Sequence, residues 1–252
     1  MRLRILGCGG SRFPGQHSPA FLLDDRLLMD AGTVCGSLEW QEQAHIEAVL
    51  ITHSHLDHVK GLANLADNLL VSGKGKSITV YGLESVLEAL RRHLFNGIIW
   101  PDFGTLPDAE ASVIRWCPLE SSLPKKICGY EVTAMRVNHS VPAVGYRISC
   151  NGSSLLYTGD TGPTEMIWGI ARGLSALIVE VSFPNAKEDL AIRSGHLTPA
   201  LLARELQKLE EMPRRIMVMH LKAGFREEIA RELADLGIEQ LEIIDDGAIH
   251  HF

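Results

Sequence analysis

Short apolar runs separated by turn residues dominate the first third of the chain and predict β-strands. Longer segments between them predict helices. In the clearer helix, 83–94, apolar residues stand at 83, 86, 87, 90 and 94, opposite a polar face. The predicted strands are 3–6, 20–23, 27–30, 48–52 and 77–81, and the predicted helices are 61–70 and 83–94.

The second part of the chain repeats this order of strands followed by helices. Four strands are predicted first, at 113–116, 130–137, 144–149 and 155–158. After them we expect a helix from Pro163, a strand 176–181, a helix 198–211, a strand 216–219, a helix 226–236 and a strand 241–244. Two similar halves indicate two sheets packed between outer helices, although periodicity alone leaves several α/β folds open.

Composition and charge narrow the class of protein. The chain has 252 residues, 46% of them hydrophobic and 22% charged, which fits one domain spanning 1–252. Its net charge of −7 argues against nucleic acid as a general partner, and no apolar run approaches the ~20 residues that cross a membrane. Five cysteines without a C-x-x-C pair, and an N-terminal apolar run too short for a signal peptide, lead us to expect a cytoplasmic protein.

A dense group of metal-binding side chains follows the predicted strand 48–52. Within six positions the chain carries His53, His55, Asp57 and His58. Alternate residues of an extended chain share a face, so we expect His53, His55 and Asp57 to point the same way. His58 then turns toward a neighbouring position as the following helix begins. Imidazole and carboxylate together suit Zn²⁺ and related ions, so this group predicts a metal site.

Three later residues can supply further ligands. His139, Asp160 and His220 each come at the C-terminal end of a predicted strand. Strand ends converge on one edge of a sheet, where residues far apart in sequence can meet. Each residue alone is more often structural, but together with the first group they predict a two-metal site.

In this order the motifs resemble those of the metallo-β-lactamase superfamily, an αββα sandwich with a dinuclear metal centre. The resemblance covers essentially the whole chain and implies an α/β fold with two mixed sheets between outer helices. It implies one metal held by His53, His55, His139 and Asp160, and a second held by Asp57, His58, His220 and the same Asp160. Two divalent cations are expected, Zn²⁺ first, and the same ligands also accept Mn²⁺ or a mixed pair.

Longer stretches are similar to the phosphodiesterase branch of this superfamily. This branch contains the transfer-RNA 3′-processing nucleases. In it an additional histidine pairs with a glutamate, and His196 and Glu180 match that pair. The closest resemblance is to class II 3′,5′-cyclic-nucleotide phosphodiesterases, although residues 63–68 depart from the fungal pattern, which continues toward Ser-Pro. This resemblance to the class II phosphodiesterases is carried by the segments 53–62, 94–103, 180–185 and 194–199.

The resemblance implies hydrolysis of the 3′ ester bond of cAMP or cGMP to a 5′-nucleotide, by a hydroxide shared between the metals. Asp57 would orient that hydroxide, His196 would act as general acid toward the 3′ oxygen, and Glu180 would hold the His196 tautomer. The expected partner is therefore a small anionic substrate. The aromatic residues of segment 94–103 would form a substrate lid, a dimer contact or core, and a homodimer is compatible with the family.

Other functions remain open at this point. A transfer-RNA-processing nuclease would need a basic, glycine-rich arm, and the one candidate, 72–77, has two lysines and is better explained as a turn before a strand. A β-lactam or thioester hydrolase does not need the pair of Glu180 and His196. A non-catalytic metal-binding protein is expected to lack at least one ligand, whereas this sequence has a residue for every ligand position.

Overall fold

A computed structural model of the chain describes residues 1–73 and 75–252 and contains, within them, two seven-stranded sheets. The first sheet consists, in spatial order, of Ile249–His251 (β14), Arg2–Gly7 (β1), Ala20–Leu23 (β2), Leu27–Met29 (β3), Ala48–Leu50 (β4), Ile78–Gly82 (β5) and Ile114–Pro118 (β6). Neighbouring strands from β3 to β6 are parallel, and the other pairs of this sheet are antiparallel.

The second sheet has the same mixed character. Its strands, in spatial order, are Leu241–Ile243 (β13), Ile216–Met219 (β12), Ala176–Glu180 (β11), Ser153–Tyr157 (β10), Val144–Cys150 (β9), Tyr130–Arg136 (β8) and Pro124–Ile127 (β7). From β10 to β13 each strand is parallel to the next one, whereas from β7 to β10 each strand is antiparallel to the next one. Both sheets are therefore mixed, as predicted.

Helices cover the outer face of each sheet. They are Trp40–Gln43 (α1), Leu56–Val71 (α2), Glu84–His93 (α3), Glu188–Ser194 (α4), Pro199–Leu206 (α5) and Arg226–Ala234 (α6). Buried residues of α2 and α3, such as Leu65 and Leu87, join the core of the first sheet, and Leu202 of α5 and Ile229 of α6 pack with the second. This arrangement confirms the predicted αββα sandwich. Within the described part of the chain, none of the helices has the length and apolar character needed to span a membrane.

Strand β11 shows why the central strands are continuous apolar runs. Its residue Ile178 belongs to the core between the two sheets, whereas Leu177 and Val179 belong to the core under the outer helices. A strand that is buried on both faces gains from apolar side chains at every position, and burial of apolar surface is the main driving force for folding. The strands that position the site are therefore anchored in both cores.

Two predicted helix boundaries and one predicted helix were wrong. Helix α2 begins at Leu56 rather than 61. The prediction missed the first turn because that turn carries the polar residues that face the site and shows no apolar periodicity. After Pro163 the chain forms a short 3-10 segment, Met166–Ile170, instead of an α-helix, and Gly169 within that segment disfavours an α-helix. Helix α5 ends at Leu206, five residues before the predicted 211.

Four elements were not predicted from the sequence. The edge strands β7 and β14 are mostly exposed and carry lysine or histidine, so neither shows a clear apolar pattern. Helices α1 and α4 span four and seven residues, too few for a periodic signal. Of the segment 72–77, Lys74 lies outside the described residues.

Candidate metal centre

All seven predicted ligands come together where strands of both sheets end. They are His53 and His55 after β4, Asp57 and His58 in the first turn of α2, His139 after β8, Asp160 after β10 and His220 after β12. The carboxyl ends of parallel strands lie at one edge of a sheet, which brings Asp160 after β10 near His220 after β12. Packing of the two sheets on a shared core brings the end of β4, with His53 and His55, to the same place. The expectation that strand ends converge is therefore met.

The donor atoms of these side chains form overlapping groups of three, and the atoms of each group lie within 4.8 Å of one another. Two groups share no residue: the first group is His53, His55 and His139, and the second group is Asp57, His58 and His220. A further group, formed by His53, His58 and Asp160, links these two. In the first group, His55 Nδ1 and His139 Nε2 are 3.1 Å apart. Two adjacent groups of this kind suit two cations.

Asp160 lies between the two groups. Its Oδ2 is 3.9 Å from His53 Nε2 and 3.3 Å from His220 Nε2, and its Oδ1 is 3.3 Å from His58 Nε2. The carboxylate is buried, so it faces other ligands rather than solvent. Because a carboxylate has two oxygens with several lone pairs, one side chain in this position can serve both groups.

The local geometry predicted for Asp57 was wrong. We expected Asp57 to continue an extended run that carries His53 and His55 on one face. The helix begins at Leu56 instead, with His55 as its N-cap in an extended conformation, so Asp57 stands in the first helical turn. Its Oδ2 is 3.5 Å from His220 Nε2. The turn of the helix thus places Asp57 in the group of His58 and His220, as the family resemblance implied.

Four buried polar atoms fit a bound cation. The three ring nitrogens His53 Nε2, His58 Nε2 and His220 Nε2, together with Asp160 Oδ1, have no hydrogen-bond partner among the described residues. Leaving a buried polar atom unpaired costs about 1–3 kcal/mol. Without bound cations, four such atoms close together would therefore strongly destabilise the folded protein. Cations that accept their lone pairs remove this penalty, and the residues present therefore fit metal ions.

Electrostatics favours the protonation states that ligands need at His53 and Asp160, but not at His58. Burial lowers the pKa of His53 well below its usual value, and the neighbouring His58 lowers it further, so this ring is neutral at pH 7. Burial alone would raise the pKa of Asp160, but the charges of His220 and His58 outweigh it and hold the pKa well below the usual range. His53 then offers a free lone pair and Asp160 stays ionised. Burial alone would lower the pKa of His58, but Asp160 and Asp30 outweigh it and raise the pKa well above its usual value, so a cation would have to displace a proton from this ring.

Asp30 is a functional candidate that the sequence reasoning missed. It is fully buried, and its Oδ2 accepts hydrogen bonds from His58 Nδ1 at 2.7 Å, Tyr157 Oη at 2.6 Å and Thr52 Oγ1 at 2.8 Å. By holding Nδ1, Asp30 turns the other ring nitrogen of His58 toward the centre. Its position at the end of the predicted strand 27–30 was the signal that could have identified it, because the same rule identified Asp160.

Replacing Asp30 by asparagine is expected to weaken metal binding at the group of His58. Loss of an outer carboxylate partner lowers metal affinity by about 10–100-fold, because the histidine loses its orientation and basicity. Competition with a chromophoric chelator measures the two affinities. The control is Asp189→Asn, on the exposed surface of α4. Equal affinities in Asp30→Asn and the unmodified protein would contradict the role of Asp30.

The predicted pair of Glu180 and His196 is formed next to the metal ligands. Glu180 ends β11 and is fully buried, and its Oε1 accepts a hydrogen bond from His196 Nδ1 at 2.7 Å. Burial alone would lower the pKa of His196, but the charge of Glu180 and the hydrogen bond to it raise the pKa above its usual value. The His196 ring stacks on His220 with 5.4 Å between ring centroids. A ring nitrogen of His196 also lies within 4.8 Å of donor atoms of Asp160 and His220.

Gly195 allows this histidine to approach the first group of ligands. It ends α4 in the left-handed conformation, with φ of 71°. A Cβ atom at this position would lie 2.8 Å from His139 Nδ1, so a larger residue would push the two loops apart. The Gly195 carbonyl accepts a hydrogen bond from His139 Nδ1 at 2.8 Å, which orients that ring.

The segment 94–103 does not bring its phenylalanines to this centre. Phe95 and Phe103 are buried in the core, where the Phe95 ring lies 5.5 Å from that of Trp116. Trp100 donates a hydrogen bond from Nε1 to the carbonyl of Ala63 in the middle of α2. Of the three interpretations, the structure supports core for these two phenylalanines.

Comparison with known proteins identifies the family of the chain. Residues 26–221 match the family described as β-lactamase superfamily domain. The chain is 30% identical over 186 residues to the 3′,5′-cyclic-nucleotide phosphodiesterase of Aliivibrio fischeri, covering 66% of this chain and 54% of that protein. It is 25% identical over 284 residues to the ribonuclease Z of Archaeoglobus fulgidus, covering 89% and 88%. The chain spans 65% and 54% of the length of the first two curated relatives it matches.

Solved structures share the whole fold. Unliganded yeast PDE1 matches with a TM-score of 0.85 at 18% identity, over 98% of both chains. The short form of human tRNase Z matches with a TM-score of 0.70 at 19% identity, over 100% of this chain and 99% of that one. At these identities the likeness establishes the fold and leaves the substrate to be argued from the site.

Proposed function

The chain belongs to the β-lactamase superfamily domain family, and from this premise we propose that it is a metal-dependent phosphodiesterase that hydrolyses the 3′ ester bond of 3′,5′-cyclic nucleotides. The single observation that carries the proposal is a set of seven side chains that could hold metal ions, directly beside a buried pair of glutamate and histidine. Ligands alone would suit any hydrolase of the family. A histidine held by a carboxylate adds a proton donor, which hydrolysis of an alkyl phosphodiester needs.

The ligand groups give each metal a defined set of residues. His53, His55 and His139 would hold one ion, Asp57, His58 and His220 would hold the other, and Asp160 would serve both. When bound, divalent ions such as Zn²⁺ supply an activated water at neutral pH and positive charge for the phosphoryl oxygens. Nitrogen and carboxylate donors suit Zn²⁺, and Mn²⁺ or a mixed pair is accepted by the same atoms.

The side chains around the metals would position water and move a proton. The Asp57 carboxylate, with a side chain 39% exposed at the rim, is available to accept a hydrogen bond from the attacking water. Glu180 keeps a proton on His196 Nδ1, so the other ring nitrogen of the imidazolium can donate its proton to the leaving 3′ oxygen. The raised pKa of His196 favours this protonated form near neutral pH.

The experiment that tests the function is hydrolysis of 3′,5′-cAMP and cGMP by the zinc-loaded protein. We expect release of the 5′-nucleotide, identified by chromatography, because the 3′ oxygen is the group that His196 would protonate. Treatment with a chelator should abolish this activity, and returning Zn²⁺ should restore it. Release of a 3′-nucleotide, or turnover that survives the chelator, would contradict the proposed reaction.

A transfer-RNA 3′-processing nuclease is the second candidate. It is supported by the match to a ribonuclease Z over 88% of that protein's length, more than the phosphodiesterase matches cover. The net charge of −7 disfavours it, because binding to a nucleic-acid backbone depends on positive charge. Cleavage of p-nitrophenyl phosphodiesters and of precursor transfer RNA, without turnover of cAMP or cGMP, would replace the first proposal by this one.

A further inference from the structure

The hydroxyl of Ser182 joins the second group of ligands to the pair of Glu180 and His196. Ser182 is fully buried, and its Oγ lies 2.8 Å from His220 Nδ1 and 2.9 Å from Glu180 Oε2. A longer contact of 3.2 Å joins the same oxygen to His196 Nδ1. One hydroxyl therefore touches a metal ligand, the candidate proton donor and the carboxylate that holds the donor.

The backbone explains why Ser182 and Glu180 share a face. The chain remains extended beyond β11, since Val181 donates its backbone N–H to the carbonyl of Met219 at 2.9 Å. Alternate side chains of an extended chain point to the same side, so Glu180 and Ser182 both face the ligands while Val181 packs into the core under the helices. The spacing of two residues between Glu180 and Ser182 is thus needed for the contact.

The chemistry of the ligand determines the direction of these hydrogen bonds. His220 Nε2 lies 3.3 Å from Asp160 Oδ2 and has no hydrogen-bond partner among the described residues, so it is the atom available to a metal. A neutral imidazole that offers Nε2 carries its proton on Nδ1, and that N–H donates to Ser182 Oγ. The one hydroxyl hydrogen of Ser182 is then free to donate to Glu180, an acceptor only.

We propose that Ser182 is a positioning residue that couples the second metal site to the proton donor, through His220 on one side and Glu180 on the other. Glu180 accepts from Ser182 at Oε2 and from His196 at Oε1, so both hydrogen bonds meet on one carboxylate. With a cation bound at Nε2, the Nδ1–H of His220 would be a stronger donor to Ser182, which would keep the Ser182 hydrogen directed at Glu180. Assignment of His196 as the donor rests on the function proposed above.

Replacing Ser182 by alanine tests this coupling. The variant should bind metal at the group of Asp57, His58 and His220 about 10-fold more weakly, because the ligand His220 has lost its hydrogen-bond partner. Metal affinity at the group of His53, His55 and His139 should be unchanged. The variant should also hydrolyse cAMP about 10-fold more slowly, with a smaller loss on a p-nitrophenyl phosphodiester, whose leaving group needs little protonation. Ser182→Thr, which retains the hydroxyl, should recover most of both losses. Ser112→Ala, a buried serine before β6, is the matched control and should change neither quantity.

A double variant keeps the test decisive if threonine does not fit the buried position. The assay uses saturating Zn²⁺, so that weaker metal binding does not lower turnover. If Ser182 then acts through His196, adding Ser182→Ala to His196→Ala should cause no further loss of turnover, whereas independent residues give additive losses. Additive losses, or unchanged metal affinity in Ser182→Ala, would overturn the proposal. If neither phosphodiester is hydrolysed, the proposed function fails, and the metal-affinity measurement still decides whether Ser182 supports His220.

Discussion

Replacing His55 by alanine is expected to abolish hydrolysis and remove one metal ion. His55 is half-buried, and its Nδ1 lies 3.1 Å from His139 Nε2 within the first group of ligands. Loss of a ligand itself should exceed the 10–100-fold effect of an outer partner, so we expect turnover to fall by at least about 10³-fold. Metal analysis of the purified variant should give one ion per chain where the unmodified protein gives two.

His45→Ala is the control for this variant. His45 is exposed at the turn before β4, at the opposite end of that strand from His53. It should retain both metal ions and full turnover, which separates loss of a ligand from a general effect of removing histidine. Full activity with two bound ions in His55→Ala would refute the ligand assignment.

Replacing His196 by alanine should slow hydrolysis of cAMP by about 10²–10⁴-fold, the usual contribution of a general acid. The 3′ alkoxide is a poor leaving group and depends on protonation. A p-nitrophenolate leaves without it, so the loss on a p-nitrophenyl phosphodiester should be much smaller. The ratio of the two losses is therefore the measurement, with exposed His93→Ala as the control.

Metal content distinguishes the two roles that the geometry allows for His196. Its ring nitrogen lies within 4.8 Å of donor atoms of Asp160 and His220, so a ligand role is a structural alternative. A proton donor can be removed without loss of metal, and we expect His196→Ala to retain both ions. Equal losses on the two substrates, together with a missing ion, would make His196 a ligand instead.

The residues that meet at the candidate metal centre could be predicted from the sequence because their chemistry is unusual. Imidazole and carboxylate side chains as dense as those at 53–58 rarely serve any purpose but metal binding. The strands that carry the later ligands could be predicted for a different reason. Burial on both faces requires continuous apolar runs, so the ends of β10 and β12 are visible in the sequence, and Asp160 and His220 follow them.

The orientation of Asp57 could not be predicted from its neighbours. An extended chain and a helical first turn give Asp57 different faces, and the local sequence is compatible with both. Helix α2 begins at Leu56, and its residues Val59 and Leu62 are buried in the core of the first sheet. The helix boundary therefore decides which candidate ligands Asp57 joins.

The sequence by itself determined the fold class and the kind of site, because apolar periodicity and side-chain chemistry are local properties. Only the tertiary structure decided which outer residues serve that site. Asp30 meets His58, and Ser182 meets His220, across 28 and 38 positions of chain. Such contacts depend on strand order and on the approach of separate loops, which leave no periodic trace in the sequence. The hydrogen-bond partners of the metal ligands thus emerge only when both sheets are assembled.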